Sequence, residues 1–266
     1  MKLIIALIAA TAIVPAAASA ASSPLTPYVL TDTSYLQDFD SLAASGTSNL
    51  LPAGFQIVEL GDGAAADGVY AAGTGSSNAG NAYSFGASGS SDRALGSLAS
   101  GGVSTIYLGG LFTNGLGATI TQLDFALTGE QWRAGTSSDD GLFFEYSLDA
   151  TALDNGSWTA LSALDVLPLI LSGNTALNGN ANSTALSAAL TGLAIGAGES
   201  FAFRWADYNS SANDHGLAID NLSIGATLAQ SPAVPEPATW AMLTLGFGLL
   251  GGTLRAGKRK TRIVFA

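Results

Sequence analysis

The chain of 266 residues contains no cysteine. A disulfide framework is therefore excluded, and a domain held outside the cytoplasm would rest on its core alone. Lysine is confined to the two ends, at Lys2, Lys258 and Lys260. Between Ala21 and Gln230 the basic residues are Arg93, Arg133 and Arg204, against 19 of the 20 acidic residues, so this body carries a formal charge of −16. A surface of that sign repels nucleic acid and anionic lipid headgroups. It leaves cations, neutral glycans and basic partners as compatible ligands, with calcium a natural counter-ion outside the cell. One histidine is present, His215, so a metal site built from several imidazoles is excluded. A Ser–His–Asp triad would depend on that single ring, and no Gly-x-Ser-x-Gly elbow serves it. Glu130, Glu145 and Asp220 are available for glycoside hydrolysis, but no second carboxylate lies two residues from Glu145, where sandwich glycosidases would place the partner of an acid.

What the body does have is short apolar alternation, broken by Gly, Asn, Asp and Ser. Leu123, Phe125 and Leu127 alternate with Gln122, Asp124 and Ala126. Leu142, Phe144 and Tyr146 do the same with Phe143, Glu145 and Ser147, as do Phe201, Phe203 and Trp205 with Ala202, Arg204 and Ala206. A period of two with polar gaps predicts antiparallel strands with one buried face. Weaker strands are expected at 36–42, 55–60, 82–85, 103–107, 158–161 and 217–224. Nine or so strands in one unit imply an all-β fold, an antiparallel jelly-roll-like β-sandwich over residues 31–228. The stretches 61–80 and 173–183 are rich in Gly, Ala, Asn and Ser and read as long loops. Residues 185–193 read as either a strand or a short helix.

The two ends differ from the body. Lys2, the apolar run 3–14 and Ala18-Ser19-Ala20 predict a signal peptide over residues 1–20, cleaved before Ala21. Residues 21–30, with Pro24 and Pro27, read as a linker, and so do 229–233. At the C-terminus an apolar run at 238–254 follows Pro235 and Pro237 and precedes Arg255, Lys258, Arg259, Lys260 and Arg262. As a helix that run would reach roughly 25 Å, the low end for a bilayer core, so one transmembrane helix with a basic cytoplasmic stop is expected. Residues 263–266 form a short apolar tail.

Residues 234–262 resemble the PEP-CTERM sorting signal. The residues that carry the resemblance are Pro235-Glu236-Pro237, two residues, Trp240-Ala241, a Gly-rich apolar run and a basic end, the variant written PEPxxWA. The basic block departs from the pattern in being interrupted by Ala256 and Gly257. The resemblance implies recognition by an exosortase at Pro235, Glu236 and Pro237, with removal of the tail. It further implies a Gram-negative host that makes exopolysaccharide or biofilm matrix. The implied route is an inner-membrane-anchored precursor, then the cell surface or the extracellular space. In the body, Gln37-Asp38-Phe39-Asp40-Ser41-Leu42, Gly129-Glu130-Gln131-Trp132-Arg133, Leu142–Ser147 and the stretch from Phe203 through Asn221 resemble lectin-like or laminin-G-like modules of secreted bacterial proteins.

Candidate site residues follow from residue type. Trp132, placed before an arginine and a turn, is the first choice for an exposed sugar-stacking face, whereas Trp205 is in phase with Phe201 and Phe203 and reads as core. Arg133 would line the ligand site, and Asp207, Asn209, Asp214 and His215 would supply hydrogen bonds. Asp139, Asp140, Asp207 and Asp214 offer oxygens to calcium, or else are turn formers. Arg133 or Arg204 is expected to pair with Glu145 or Asp220 inside the sandwich. The functional expectation is a non-enzymatic structural or adhesive protein of the cell surface or matrix, binding exopolysaccharide. The rival expectations are a glycan hydrolase and a calcium-dependent adhesion module.

Overall fold

The computed structural model describes residues 26–230 and 237–257. The signal peptide with Ala18, Ala20 and Ala21 lies outside the described residues. So do Pro235 and Glu236 of the sorting motif and Lys258, Arg259, Lys260 and Arg262 of the basic stop. The chain forms two compact units that meet within the linker, at Ala229/Gln230.

In the body the strands run in chain order β1 (Tyr28–Leu30), β2 (Ser34–Gln37), β3 (Thr47–Ser48), β4 (Phe55–Leu60), β5 (Tyr70–Gly73), β6 (Asn81–Phe85) and β7 (Ala94–Leu98). Then follow β8 (Thr105–Asn114), β9 (Ile120–Ala134), β10 (Leu142–Ser147), β11 (Thr159–Ala160), β12 (Thr175–Ala176), β13 (Ser183–Ile195), β14 (Ser200–Tyr208) and β15 (Gly216–Leu228). They make two sheets. One has the order β1-β8-β14-β10-β11, with β4 also on β8; the other has β12-β9-β15-β7-β6-β5-β3, with β13 on β9 and β2 on β15. Pairing is antiparallel except between β1 and β8 and between β5 and β6.

The core lies between the sheets and follows the sequence alternation. Leu123, Phe125 and Leu127 of β9, Leu142 and Phe144 of β10, Phe201, Phe203 and Trp205 of β14 and Leu217, Ile219, Leu222 and Ile224 of β15 share one buried cluster. Each fully buried large side chain of this kind contributes on the order of 1.5–3 kcal/mol. The aromatic members meet edge to face: Phe203 and Trp205 have ring centroids 5.9 Å apart at 82°, and Phe144 and Trp205 5.0 Å apart at 66°. The Trp205 indole N–H also has its partner, the Leu164 carbonyl at 3.0 Å. Close sheet packing sets residue size too. A Cβ on Gly109 would stand 2.1 Å from the Phe203 carbonyl of the paired strand.

The structure departs from the sequence expectations in four places. Residues 28–30, read as linker, form β1 and tie the start of the body to β8. The loop at 61–80 contains β5, which supplies the fully buried Tyr70. The ambiguous stretch 185–193 is strand, within β13. The fourth is β14, which buries both faces: Ala202, Arg204 and Ala206 are as enclosed as Phe201, Phe203 and Trp205. Part of the segment between β10 and β11 covers the outer face, with Ala150 packed on Ala202 and Trp158 beside them. Alternation reports polarity, and a face can be covered later by chain from elsewhere.

The second unit is helix α1 (Pro237–Gly257). Pro237 stands at its first position, where a missing N–H costs nothing. Trp240 and the apolar side chains from Met242 to Leu254 are exposed along it, and Arg255 lies in its last turn. The helix expected at 238–254 is present, but no helix among the described residues is long and apolar enough to cross a membrane, so the structure does not bear out its spanning role. Thr239, Thr244 and Thr253 with Gly246, Gly248, Gly251 and Gly252 dilute the run, since none of them adds much apolar area.

Candidate functional site

A polar cleft of about 440 Å³ opens at one end of the sandwich. Its walls come from the Ala99–Gly101 turn after β7, from Arg133 near the end of β9, from the loops carrying Asn78 and Asn174, and from the loop between β14 and β15 with Asn209, Asn213 and Asp214. Four carboxamides, one guanidinium and one carboxylate thus face one space. Three residues singled out in the sequence, Arg133, Asn209 and Asp214, are brought together here. Asn78 and Asn174 were not foreseen. Their signal was the Asn content of stretches that the sequence marked only as loops.

Arg133 organises the cleft. Its Nη1 donates to the Gly75 carbonyl at 3.2 Å and the Ser76 carbonyl at 3.4 Å, and its Nη2 to the Asn174 carbonyl at 3.3 Å. One side chain therefore fastens two loops that are far apart in sequence. The approach of the first loop depends on Gly75, whose φ is +77° and whose Cβ would stand 1.8 Å from the Trp132 carbonyl. Arg133 makes no ion pair among the described residues, since the ion pair found there belongs to Arg204.

Behind the cleft lies a group of buried carboxylates. Asp214 Oδ1 accepts from both the backbone N–H of Ser210, at 3.0 Å, and the Ser210 hydroxyl. Asp140 accepts from the backbone N–H groups of His215 at 2.5 Å and Gly141 at 2.8 Å. Burial pushes Asp140 up to about 6, with the Asp214 charge adding to it and the His215 and Gly141 hydrogen bonds opposing it. Asp207 accepts the Ser97 hydroxyl on Oδ2 at 2.6 Å, while its Oδ1 is buried without a partner. Burial, with Asp140 alongside, holds Asp207 well above the usual carboxylate range. Asp214 is raised as well, first by burial.

His215 is 1 % exposed and structural. Gln131 Nε2 and the Gly135 backbone N–H both point at its Nδ1, at 2.9 and 2.8 Å. That leaves Nε2 to carry the proton, which it donates to the Ser137 carbonyl at 2.9 Å. A ring so occupied positions β9 against the Gly135–Asp140 loop and is not open to a ligand. The expectation that His215 and Asp207 contact a ligand is corrected on this ground of burial.

Trp132 is also corrected. It is 3 % exposed, stacked on Phe85 with ring centroids 6.1 Å apart, and its indole N–H donates to Glu130 at 2.8 Å. No aromatic ring lines the cleft. Asp139 is exposed and bonded to Ser137, whereas Asp140, Asp207 and Asp214 are buried. Among the described residues no three His, Cys, Asp or Glu side chains are placed to hold a metal ion, which corrects the calcium set. Glu145 pairs with Arg204, Glu130 takes the Trp132 N–H, and Asp220 accepts the backbone and side-chain N–H groups of Asn221. None of the three lines the cleft.

The C-terminal segment supplies a sequence-level match. The chain carries a PEP-CTERM protein-sorting motif at residues 233–260. The motif marks an exported protein handled by an exosortase. Within the described residues it covers α1. No curated protein matches the sequence. Among solved structures the chain is similar to the K2 cleaved adhesin domain of Lys-gingipain, at 14% identity over 74% of this chain and 98% of that one, with a TM-score of 0.38. The K1 adhesin domain of the same protein, from Porphyromonas gingivalis W83, aligns at 18% identity over 74% and 99% of the two chains, with a TM-score of 0.35. The CBM22-1 xylan-binding domain of Paenibacillus barcinonensis Xyn10C aligns at 12% identity over 71% and 100%, with a TM-score of 0.31.

Proposed function

We propose that the body is a non-enzymatic, adhesive module of an exported surface or matrix protein, and that its polar cleft binds a neutral polysaccharide. The single observation that carries this reading is the lining of the cleft: Asn78, Asn174, Asn209 and Asn213 around Arg133 and Asp214. Carboxamides donate and accept at once, which suits a ligand made of hydroxyl groups. The body's charge of −16 disfavours anionic polymers and leaves neutral glycans. With no aromatic ring in the cleft, recognition rests on hydrogen bonds rather than stacking. A single carboxylate, Asp214, faces the space, and it is committed to Ser210. That supports binding over hydrolysis, since glycoside cleavage uses two carboxyl groups about 5–10 Å apart. The sorting motif supplies the setting: delivery outside the cell.

Asn209 and Asn213 are the residues to test, because both side chains are exposed and no protein hydrogen bond to either amide group is found. Isothermal titration of the chain against the host's exopolysaccharide and against neutral oligosaccharides should give weak binding, near millimolar for a single small site. Asn209→Ala with Asn213→Ala should abolish the heat and leave the melting temperature in place. Equal heat from the double variant, or none from the parent chain, would remove the cleft as the site. Release of reducing ends from the polymer would favour the hydrolase reading instead.

A further inference from the structure

We propose that β13 is a self-docking edge, through which two copies of this chain pair strand to strand and join their larger sheets. Seven strands have a single partner among the described residues: β1, β2, β3, β4, β11, β12 and β13. Six of them are two to six residues long, and the longest of the six, β4, is mostly buried. The seventh, β13, has 13 residues, and most of them are exposed. Proteins guard long edges with lysine, proline, inward charges or bulges, because an open row of N–H and C=O groups templates another strand. β13 has no charge and no proline along its whole length. Its one irregularity lies between Thr191 and Ile195, at Gly192, and leaves Ser183–Thr191 regular.

Charge selects the occupant. The body is a −16 particle that repels its own copies over most of its surface. From Val166 to Gly198 the sequence contains no charged side chain, and β13 lies inside that stretch. The nearest acidic side chain on the solvent face is Asp124, opposite Ala189 on β9. Across a β13–β13 seam centred on Ser187 the two Asp124 residues would be three strand spacings apart across the sheet and four residues apart along it, about 20 Å in all, beyond a Debye length of about 8 Å at physiological salt. The groove beside the edge holds one half-buried carboxylate, Asp165, which accepts the Phe144 N–H at 2.8 Å.

The strand is also complementary to itself. An antiparallel pairing centred on Ser187 sets Ala185 opposite Ala189 on one face, with only small side chains there, and Leu186 opposite Ala188 and Thr184 opposite Leu190 on the other, so no two leucines collide. Such a seam is two-fold and closed, which stops at a dimer. An apolar groove of about 210 Å³ runs beside the edge, lined by Thr184, Leu186, Leu167, Pro168 and Leu169. Leu167 and Leu169 are 57% and 52% exposed. Their loop is pinned in that place by Gln131, whose Oε1 accepts from the N–H groups of Leu169 and Ile170 at 2.9 and 2.8 Å and whose Nε2 donates to the Ile170 carbonyl at 2.8 Å. A partner strand on β13 would carry its own Leu186 toward this groove.

The cysteine-free chain allows a direct test. Full-length Ser187→Cys, purified in neutral detergent, should form a covalent dimer on mild oxidation or with a short bis-maleimide. Opposed residues in an antiparallel pair lie about 4.5–5.5 Å apart at Cα, within disulfide range. Ala64→Cys, exposed in the loop after β4, should not cross-link. Light scattering should give the dimer mass for the parent chain and the monomer mass for Ser187→Lys combined with Ala189→Lys, with the melting temperature unchanged because both positions are exposed. Dimerisation should tighten several-fold as salt screens the −16 bodies. The proposal fails if the parent chain is monomeric at about millimolar concentration, if Ala64→Cys cross-links as well, or if the lysine variant stays dimeric.

Discussion

Two arginines sit beside tryptophans in strands of this sandwich, and they lead opposite lives. Arg204, before Trp205, is 7% exposed and pairs with Glu145, its Nη2 at 2.6 Å and its Nε at 2.8 Å. The guanidinium also donates to the Leu153 carbonyl and lies between two rings, 3.9 Å from the Tyr107 centroid and 4.1 Å from that of Trp158. Arg133, after Trp132, has no carboxylate partner among the described residues; it fastens loops by their carbonyls and borders the cleft. The two dipeptides put tryptophan and arginine on opposite faces of a strand in both cases. What differs is the cover. Trp158 and Leu153, from the segment between β10 and β11, close over Arg204, whereas the loops around Arg133 stand apart and leave a space. One cation has become a fastening of the core and the other an opening for chemistry.

The sharpest way to break this comparison is Arg204→Met. It would leave Glu145 without its partner in a mostly closed site, and loss of one member of such a pair typically costs on the order of 3–5 kcal/mol. At roughly 2–4 °C per kcal/mol for a domain of this size, the melting temperature should fall by about 10 °C. Arg204→Met with Glu145→Met should recover more than half of that loss, because no unpaired charge remains. A shift within error for the single variant would show that the rings and methylenes hold the site, not the ion pair.

Acidification should act next, and with the opposite sign from ordinary acid denaturation. Burial raises Asp140 to about 6 and Asp220 to about 7, above their unfolded values. In the window between about pH 4 and 7 the folded chain binds more protons than the unfolded one, so stability falls as pH rises through it and is flat above. Going from pH 8 to pH 5 should raise the melting temperature by about 8 °C, on the order of 4 kcal/mol for the two groups together. Asp220→Asn should remove part of that slope. A stability that declines steadily below pH 7 would mean that both groups stay ionised in the fold.

Arg133→Ala should be the mildest for the fold and the most telling for the cleft. Its hydrogen bonds go to carbonyls near the surface, so the expected cost is about 1 kcal/mol or less. The loops at Gly75 and Asn174 would loosen, and glycan heat in titration should drop several-fold. If Arg133→Ala destabilised the chain as much as Arg204→Met, the two arginines would be equivalent structural elements and the contrast between them would collapse.

How much of this was legible beforehand differs by residue. The alternation in β9, β10, β14 and β15 marked the core strands, because an inward side chain recurs every second residue whatever lies opposite. Trp205 was legible as core for that reason. Trp132 was misread. The turn after it suggested an edge, but Phe85 from a distant strand stacks over it, and Glu130 reaches its N–H. β1, β5 and β7 gave no clear signal: they are short, and the segments around them are rich in Gly, Ala and Ser, so their pairing partners rather than their own propensity make them strands.

By itself the sequence determined the sorting motif, the absence of disulfides, the negative charge of the body and the strand periodicity. Each of these is local or additive along the chain, and folding does not alter it. Tertiary structure alone decided the rest. Arg204 rather than Arg133 is paired, because only its face is covered by the segment after β10. Asp207 and His215 lie inside while Asn209 and Asp214 line a cleft, because β7, β9 and β14 bring their ends to one place. β13 pairs with β9 alone among the described strands, because the chain places no other strand beside it there. These are properties of what packs against what, and residues a hundred positions away in the chain supply the answer.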